Sequence, residues 1–247
     1  MKFLIVDAFS EKLFGGNPAG IVILPKGSDF PSDELMVKTA AELRYSETAF
    51  ISIMNNNEFK IRYFTPAAEV DLCGHATVGA FCALAHLGII KKGDTCINHT
   101  LAGDLEVEVG SGYVMMDMAE PRELLTISDE NSLKELYDVL GTKYEKTTKL
   151  LPEMISTGLP DIMVPVSSKE ALNAMAPDMK ALAVLSEKYQ VTGVHAFSIS
   201  REKGITAHTR NFAPLYDIDE EAATGTSSGA LTYYLYKNNL IENNSEV

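Results

Sequence analysis

Two stretches of this chain combine residue types that suit the binding of an anion and the transfer of a proton. One reads Cys73-Gly74-His75-Ala76-Thr77, the other Thr224-Gly225-Thr226-Ser227-Ser228. Each places a glycine and small polar side chains just ahead of an apolar, helix-like run. The first N–H groups of a helix are unpaired and carry the positive end of its dipole, so they favour a carboxylate or phosphate. The plainer reading is that these Ser, Thr and Gly residues only cap helices. His75 lies inside the first stretch, either as a ligand contact or as part of the loop.

A third group is Glu47, in Tyr45-Ser46-Glu47-Thr48-Ala49-Phe50, where a carboxylate enters a strongly apolar strand. Partial desolvation there would lift its pKa from about 4.3 toward neutrality. Such a group can both accept and return a proton. The competing reading is an exposed glutamate at a strand end. Cys73 could be a reactive thiolate at a helix start or a small packed residue. A two-thiol racemase would need a second cysteine in the other stretch, which has Thr224 instead. Asp219, Glu220 and Glu221 form an acidic run that reads as solvated surface, with nothing to choose among them.

Other chemistries lack their motifs. The sequence has no Walker A loop, no GxGxxG after a strand and no GxSxG elbow. Its five histidines show no HxH or HxxxH pairing, which argues against a metal cluster. Charge narrows the field further: 21 basic against 34 acidic residues give a net −13 over 247 residues. A surface of that sign repels phosphate backbones and anionic lipid, so neither nucleic acid nor membrane is an expected partner. Three cysteines without a CxxC pair fit reduced thiols and a cytoplasmic location. The run Phe3 to Val6 is too short for a signal-peptide core.

The elements that must carry these residues alternate between strand and helix patterns. Short apolar runs at Lys2 to Asp7 and Gly20 to Leu24 flank a turn at Gly15-Gly16-Asn17-Pro18. Ser32 is a suitable N-cap for a helix with an apolar face of Leu35, Met36, Ala40 and Leu43. A hairpin is expected from Ala49 to Met54 and Glu58 to Thr65, and further strands at 105–109 and 113–118. Thr77 to Ile90 reads as a buried helix, with His86 packed in the core. The second half predicts helices at 132–140 and 178–189, and strands at 149–156, 161–166, 194–200 and 205–210. With 46% hydrophobic residues, the chain can bury a real core.

A weak internal repeat links the two polar stretches. Phe64-Thr65-Pro66 leads to the first, and Phe212-Ala213-Pro214 to the second. Each continues through an acidic loop, a glycine, a Gly-Ala pair and an apolar helix. The repeat predicts two similar lobes, 1–112 and 113–247, divided near Gly110-Ser111-Gly112.

The chain resembles the PhzF-like family, named for a phenazine-biosynthesis isomerase and related in fold to diaminopimelate epimerase. The matching segments are Asp7-Ala8-Phe9, Gly16-Asn17-Pro18-Ala19-Gly20, Ser46-Glu47-Thr48-Ala49-Phe50, Cys73-Gly74-His75-Ala76-Thr77, Ser156-Thr157-Gly158-Leu159-Pro160, Asn211-Phe212-Ala213-Pro214 and Ala223-Thr224-Gly225-Thr226. The resemblance implies an α/β (α+β) fold of two pseudo-twofold-related lobes. In each, a curved, mostly antiparallel sheet wraps a central helix, and the active site lies between the lobes. It also implies a homodimer without cofactor or metal. The family's proton-shuttling glutamate falls on Glu47 and its active-site histidine on His75. Its acidic residue before the second loop falls on Glu221, where the family usually has aspartate followed by proline. Its loop serine falls on Thr226. Gly74, Gly225 and Thr226 would hold carboxylate oxygens, with Ser46 and Asn17 as further substrate-binding residues.

The expected activity is a cofactor-independent isomerisation that moves a proton between carbons of a small carboxylated metabolite. Two alternatives stand beside it: an amino-acid racemase or epimerase using Cys73, and a non-catalytic metabolite-binding protein.

Overall fold

The computed structural model describes residues 1–145, 149–216 and 218–243. It divides into two compact units, Met1–Asp117 and Met118–Val247. The last four residues expected in the second lobe, 244–247, lie outside the described residues. The division falls a few residues beyond 112 for a physical reason. Gly110-Ser111-Gly112 turns the chain between two paired strands, so cutting there would split a hairpin.

The first unit is built on one sheet. Its strands are β1 (Lys2–Ala8), β2 (Asn17–Ile23), β3 (Thr48–Ile53), β4 (Glu58–Phe64), β5 (Glu69–Val70), β6 (Thr95–Thr100), β7 (Gly103–Val109) and β8 (Val114–Met116). Their order is β1-β2-β3-β4-β6-β7-β8, with β5 paired to β4. Only β2–β3 and β4–β6 are parallel. The connection between β2 and β3 contains helix α1 (Asp33–Leu43). The Ser32 side chain caps it by accepting from the Leu35 amide, and Arg44 ends it in the left-handed region at φ 60.

Helix α2 (Gly74–His86) is the centre of this unit. Alanines 76, 80 and 83 keep it thin, and Phe81 and Leu84 fill the space around it. It touches β1, β2 and β3 at one end of the sheet and β7 and β8 at the other, so the sheet curls round it. β2 and β3 are covered on both faces, which is why they read as continuous apolar runs. Ala19, Ile21, Ala49 and Ile51 face α2, while Val22 and Phe50 pack with Met36 and Ala40 of α1.

The second unit repeats this plan. Its strands β9 (Arg122–Thr126), β10 (Glu153–Ser156), β11 (Pro160–Pro165), β12 (Gly193–Ile199), β13 (Ala207–Ala213) and β14 (Ile218–Glu221) lie in the order β14-β13-β12-β11-β10-β9. Helix α3 (Glu130–Val139) precedes β10. Helices α4 (Lys169–Ala174) and α5 (Met179–Tyr189) connect β11 to β12, and α6 (Gly225–Lys237) follows β14. The series β10 to β14 pairs antiparallel, parallel, antiparallel, antiparallel, as does β1 to β5. One face of the second sheet packs on α3 and α5. The other carries α6 on Ile155, Met163 and Phe197. The fold is therefore a mixed α/β arrangement of two curled, mostly antiparallel sheets, each with a core helix.

Register makes the repeat exact enough to align residues. Thr48 pairs with Phe64, and Val194 with Phe212. On that frame Arg62 corresponds to Arg210. Arg62 stacks over the Phe64 ring and pairs with Glu69; Arg210 stacks over Phe212 and pairs with Glu220. An Arg-x-Phe-x-Pro unit is thus the deeper signature of the duplication, and the Phe-x-Pro reading caught only half of it.

Two local expectations need correction. Asn17 and Pro18 are not turn residues but open β2, opposite Ala8 and Asp7. The turn lies earlier, where a side chain on Gly16 would collide with the Ala8 carbonyl. His86 is exposed at the end of α2 rather than packed in the core; Ala83 and Leu84 of the same turn take the core positions and His86 falls on the other side of the helix. The acidic run forms strand β14, with Asp219 and Glu220 exposed as expected of solvated surface and Glu220 also held by Arg210. Among the described residues, no helix is long and apolar enough to cross a membrane.

Candidate functional site

Glu47 immediately precedes β3, two residues before Ala49, which faces α2. The pleat therefore sends the Glu47 side chain toward the same helix. Its backbone carbonyl accepts from the Gly20 amide, which fixes the strand entrance against β2. The carboxylate comes within 3.6 Å (Oε2 to Nε2) of His75, and its side chain is 15% exposed. Ser46 Oγ lies 3.5 Å from the same Nε2. Both separations are at or just beyond the limit of a direct hydrogen bond. Catalytic contacts in ligand-free enzymes are often this long and tighten when substrate arrives.

His75 is the second residue of α2 and is buried. Burial pushes its imidazolium down to about 4 from an ordinary 6.5, so the ring is neutral near pH 7. Cys73 is the N-cap of α2, yet its side chain makes no capping bond. Its Sγ instead approaches His75 Nδ1 at 3.3 Å. Gly74 begins the helix between them. Asn17, at the start of β2, is buried. The structure thus brings Glu47, Ser46, Gly74 and His75 together in the first unit, and adds Cys73 to them.

Glu221, Gly225 and Thr226 belong to the second unit. Glu221 ends β14 opposite Asn211, and α6 starts four residues further along. Thr224 is the N-cap and, like Cys73, makes no capping bond to an amide. Its hydroxyl lies 3.3 Å from the Thr226 hydroxyl and 3.3 Å from that of Ser227. Thr157, in the loop after β10, donates to the Thr226 carbonyl at 2.8 Å. Below this start Ser227 donates to Asp161, whose carboxyl is pushed up to about 6 by burial despite that hydrogen bond. His195 faces Asn211 at 3.0 Å, and burial pushes its pKa down to about 4. Asp161 and His195 escaped notice in the sequence because each stands alone in an apolar strand pattern, without a motif.

One group of metal-type donors occurs among the described residues. Glu47, Cys73 and His75 can each offer one atom within 4.8 Å of the others. The histidine spacings had argued against a cluster; strand and helix bring a carboxylate and a thiol to one ring instead. In the structure the thiol is nearest Nδ1 and the carboxylate nearest Nε2.

Two curled sheets with matching strand order and a core helix apiece define the fold as a two-unit mixed α/β arrangement. A hydroxyproline epimerase from Agrobacterium vitis shares this fold at a TM-score of 0.61 with 12% identity, covering 98% of this chain and 78% of that one. The chain belongs to the phenazine biosynthesis-like (PhzC-PhzF) family, whose model matches residues 6–247. The PhzF-family phenazine biosynthesis protein of Bacillus anthracis is similar at a TM-score of 0.82 and 27% identity over 95% of this chain and 80% of that one. The uncharacterized isomerase YfhB of Bacillus subtilis is 34% identical over 95% of this chain and 80% of its own length.

Proposed function

We propose that this protein is an isomerase that moves a proton between carbons of a small carboxylated metabolite without a cofactor. Glu47 is the acid–base group. Its carboxylate takes a proton from an activated C–H, breaking that bond, and the electron pair spreads through the adjacent conjugated system. Glu47 then delivers a proton, the one it took or one it has exchanged with solvent, to another carbon. No electron leaves the substrate, so the step balances as an isomerisation.

The supporting observation is the Glu47–His75 approach of 3.6 Å at the start of α2. A mostly buried carboxylate there has a neutral imidazole beside it. Because the ring is neutral near pH 7, its contact with Glu47 is not an ion pair. His75 and Glu221 position the substrate and steer its polar protons. The amides at Gly74 and Gly225, with Thr226, Ser46 and Asn17, hold carboxylate oxygens and stabilise developing enolate charge. Family membership and isomerase-named relatives support the reaction class. A homodimer in the cytoplasm belongs to the same proposal, and sedimentation of the purified chain tests the dimer.

The racemase reading is disfavoured at Cys73. The second unit offers Thr224 in its place, so the two-thiol arrangement has only one thiol. A metabolite screen in D₂O with mass-spectrometric readout tests the proposal. Deuterium should enter a carboxylated compound at carbon, together with formation of an isomer of equal mass in H₂O. Tight binding of such compounds with no exchange at any carbon would make the protein a binding protein instead.

A further inference from the structure

The thiol of Cys73 is the best-placed buried reactive group that the proposed reaction leaves without a task. An N-cap side chain normally accepts from the N–H two or three residues on; Cys73 does not. It is buried and turned to the ring of His75, with Sγ 3.3 Å from Nδ1. The second unit has the same device in other chemistry. Its N-cap Thr224 also leaves the amides and meets the side chain two positions on, Thr226, at 3.3 Å. In both copies of the repeat, the residue at the cap holds the residue at the second helical position.

The surroundings of the other ring nitrogen indicate which atom carries the proton. Nε2 has a Glu47 oxygen at 3.6 Å and the Ser46 hydroxyl at 3.5 Å; an ionised carboxylate only accepts, and a hydroxyl can accept. A neutral imidazole has one N–H and one lone pair. The N–H therefore belongs on Nε2, and the lone pair on Nδ1 needs a donor. The thiol is the group that supplies it.

We infer that Cys73 is a positioning residue: its S–H donates to Nδ1 of His75 and holds the ring in the tautomer whose Nε2–H faces Glu47. The inference rests on the proposed role of Glu47 only for its catalytic consequence; the tautomer itself exists without substrate. It also assigns Cys73 a protonated resting state, unlike the thiolate of a cysteine-dependent racemase.

Long-range ¹H–¹⁵N correlation spectra of histidine-labelled protein near pH 7 test it, with His75→Asn identifying the His75 signals. The wild-type ring should show a protonated Nε2 and an unprotonated Nδ1. Cys73→Ala should convert this fixed pattern to averaged nitrogens, and Cys73→Ser, which restores an O–H donor, should bring it back. A wild-type ring protonated on Nδ1 would overturn the inference, as would an unchanged pattern in Cys73→Ala. Should Cys73→Ala fail to fold, the wild-type and Cys73→Ser spectra decide alone. Once a substrate is in hand, Cys73→Ala should lower kcat with little change in KM, and Cys73→Ser should recover turnover. Loss of all exchange in a folded Cys73→Ser protein would mean that the thiol itself transfers the proton.

Discussion

The two copies of the repeat start from the same backbone plan and end with different chemistry at their helix starts. At α2 the polar set is Glu47, Cys73 and His75, groups that can carry a proton. At α6 the matching set is Gly193, Thr224 and Thr226, groups that can only donate and accept hydrogen bonds. The position of Glu47 is filled by Gly193, where a side chain would run into the Phe212 carbonyl. The second copy therefore cannot take a carboxylate there without moving β13. Its buried carboxylate sits instead at Asp161, the counterpart of Ala19, and is tied to Ser227. The two helix starts share a backbone plan, and only the first, among the described residues, pairs a carboxylate with an imidazole.

Enclosure also differs. The first sheet reaches α2 from both ends, whereas α6 makes its main contacts with β10 and β11. The largest stability loss is therefore expected in the first unit. Phe81→Ala, which empties a fully buried position stacked edge-on against Phe59, should cost about 3–5 kcal/mol in chemical denaturation. Leu231→Ala on α6 should fall near the lower end of about 2–5 kcal/mol, because its surroundings can relax more. Equal losses would erase the distinction between a wrapped and a half-covered helix.

Protonation separates the units next. His75 has a folded pKa of about 4 against 6.5 unfolded. As pH falls from 6.5 to 4 only the unfolded chain gains its proton, so the first unit loses stability on acidification. His195 acts in the same direction in the second unit. Asp161 opposes it there: its folded pKa of about 6 lies above its ordinary 3.8. Its contribution favours the folded state below about pH 4 and is lost as pH rises through 6. Acid should thus weaken the first unit more than the second. Asp161→Asn should raise stability at pH 7 by ~2–3 kcal/mol and remove the offset. Thermal melts at pH 4.5 and 7 check both; a second unit as acid-sensitive as the first in the wild-type protein would contradict the assignment.

The smallest expected difference is kinetic. Amides in the middle of α2 should exchange with deuterium more slowly than those of α6, by mass spectrometry at residue resolution. Faster exchange in α2 would mean that the curled sheet does not protect it.

Much of this was legible in the sequence where local signals were strong. The Ser32 cap, the apolar runs of β2, β3, β11 and β12, and the helix after Asp178 follow from spacing alone. Less visible were β5, β9 and β14, edge or near-edge strands whose polar residues show no clean alternation. Glu47 and His75 could be singled out, but their meeting depends on the β2–β3 register, which no local pattern encodes. The roles of Arg62 and Arg210 became visible only once β4 and β13 were aligned, because each arginine finds its glutamate across a sheet edge.

The assignment of the proton to Glu47 is decided by comparing wild-type protein and Glu47→Gln in D₂O with the same carboxylated substrate. The glutamine variant should melt like the wild type, bind the substrate, and lose carbon–hydrogen exchange by at least ~100-fold. Exchange within a few-fold of wild type in that folded variant would place the proton on another group.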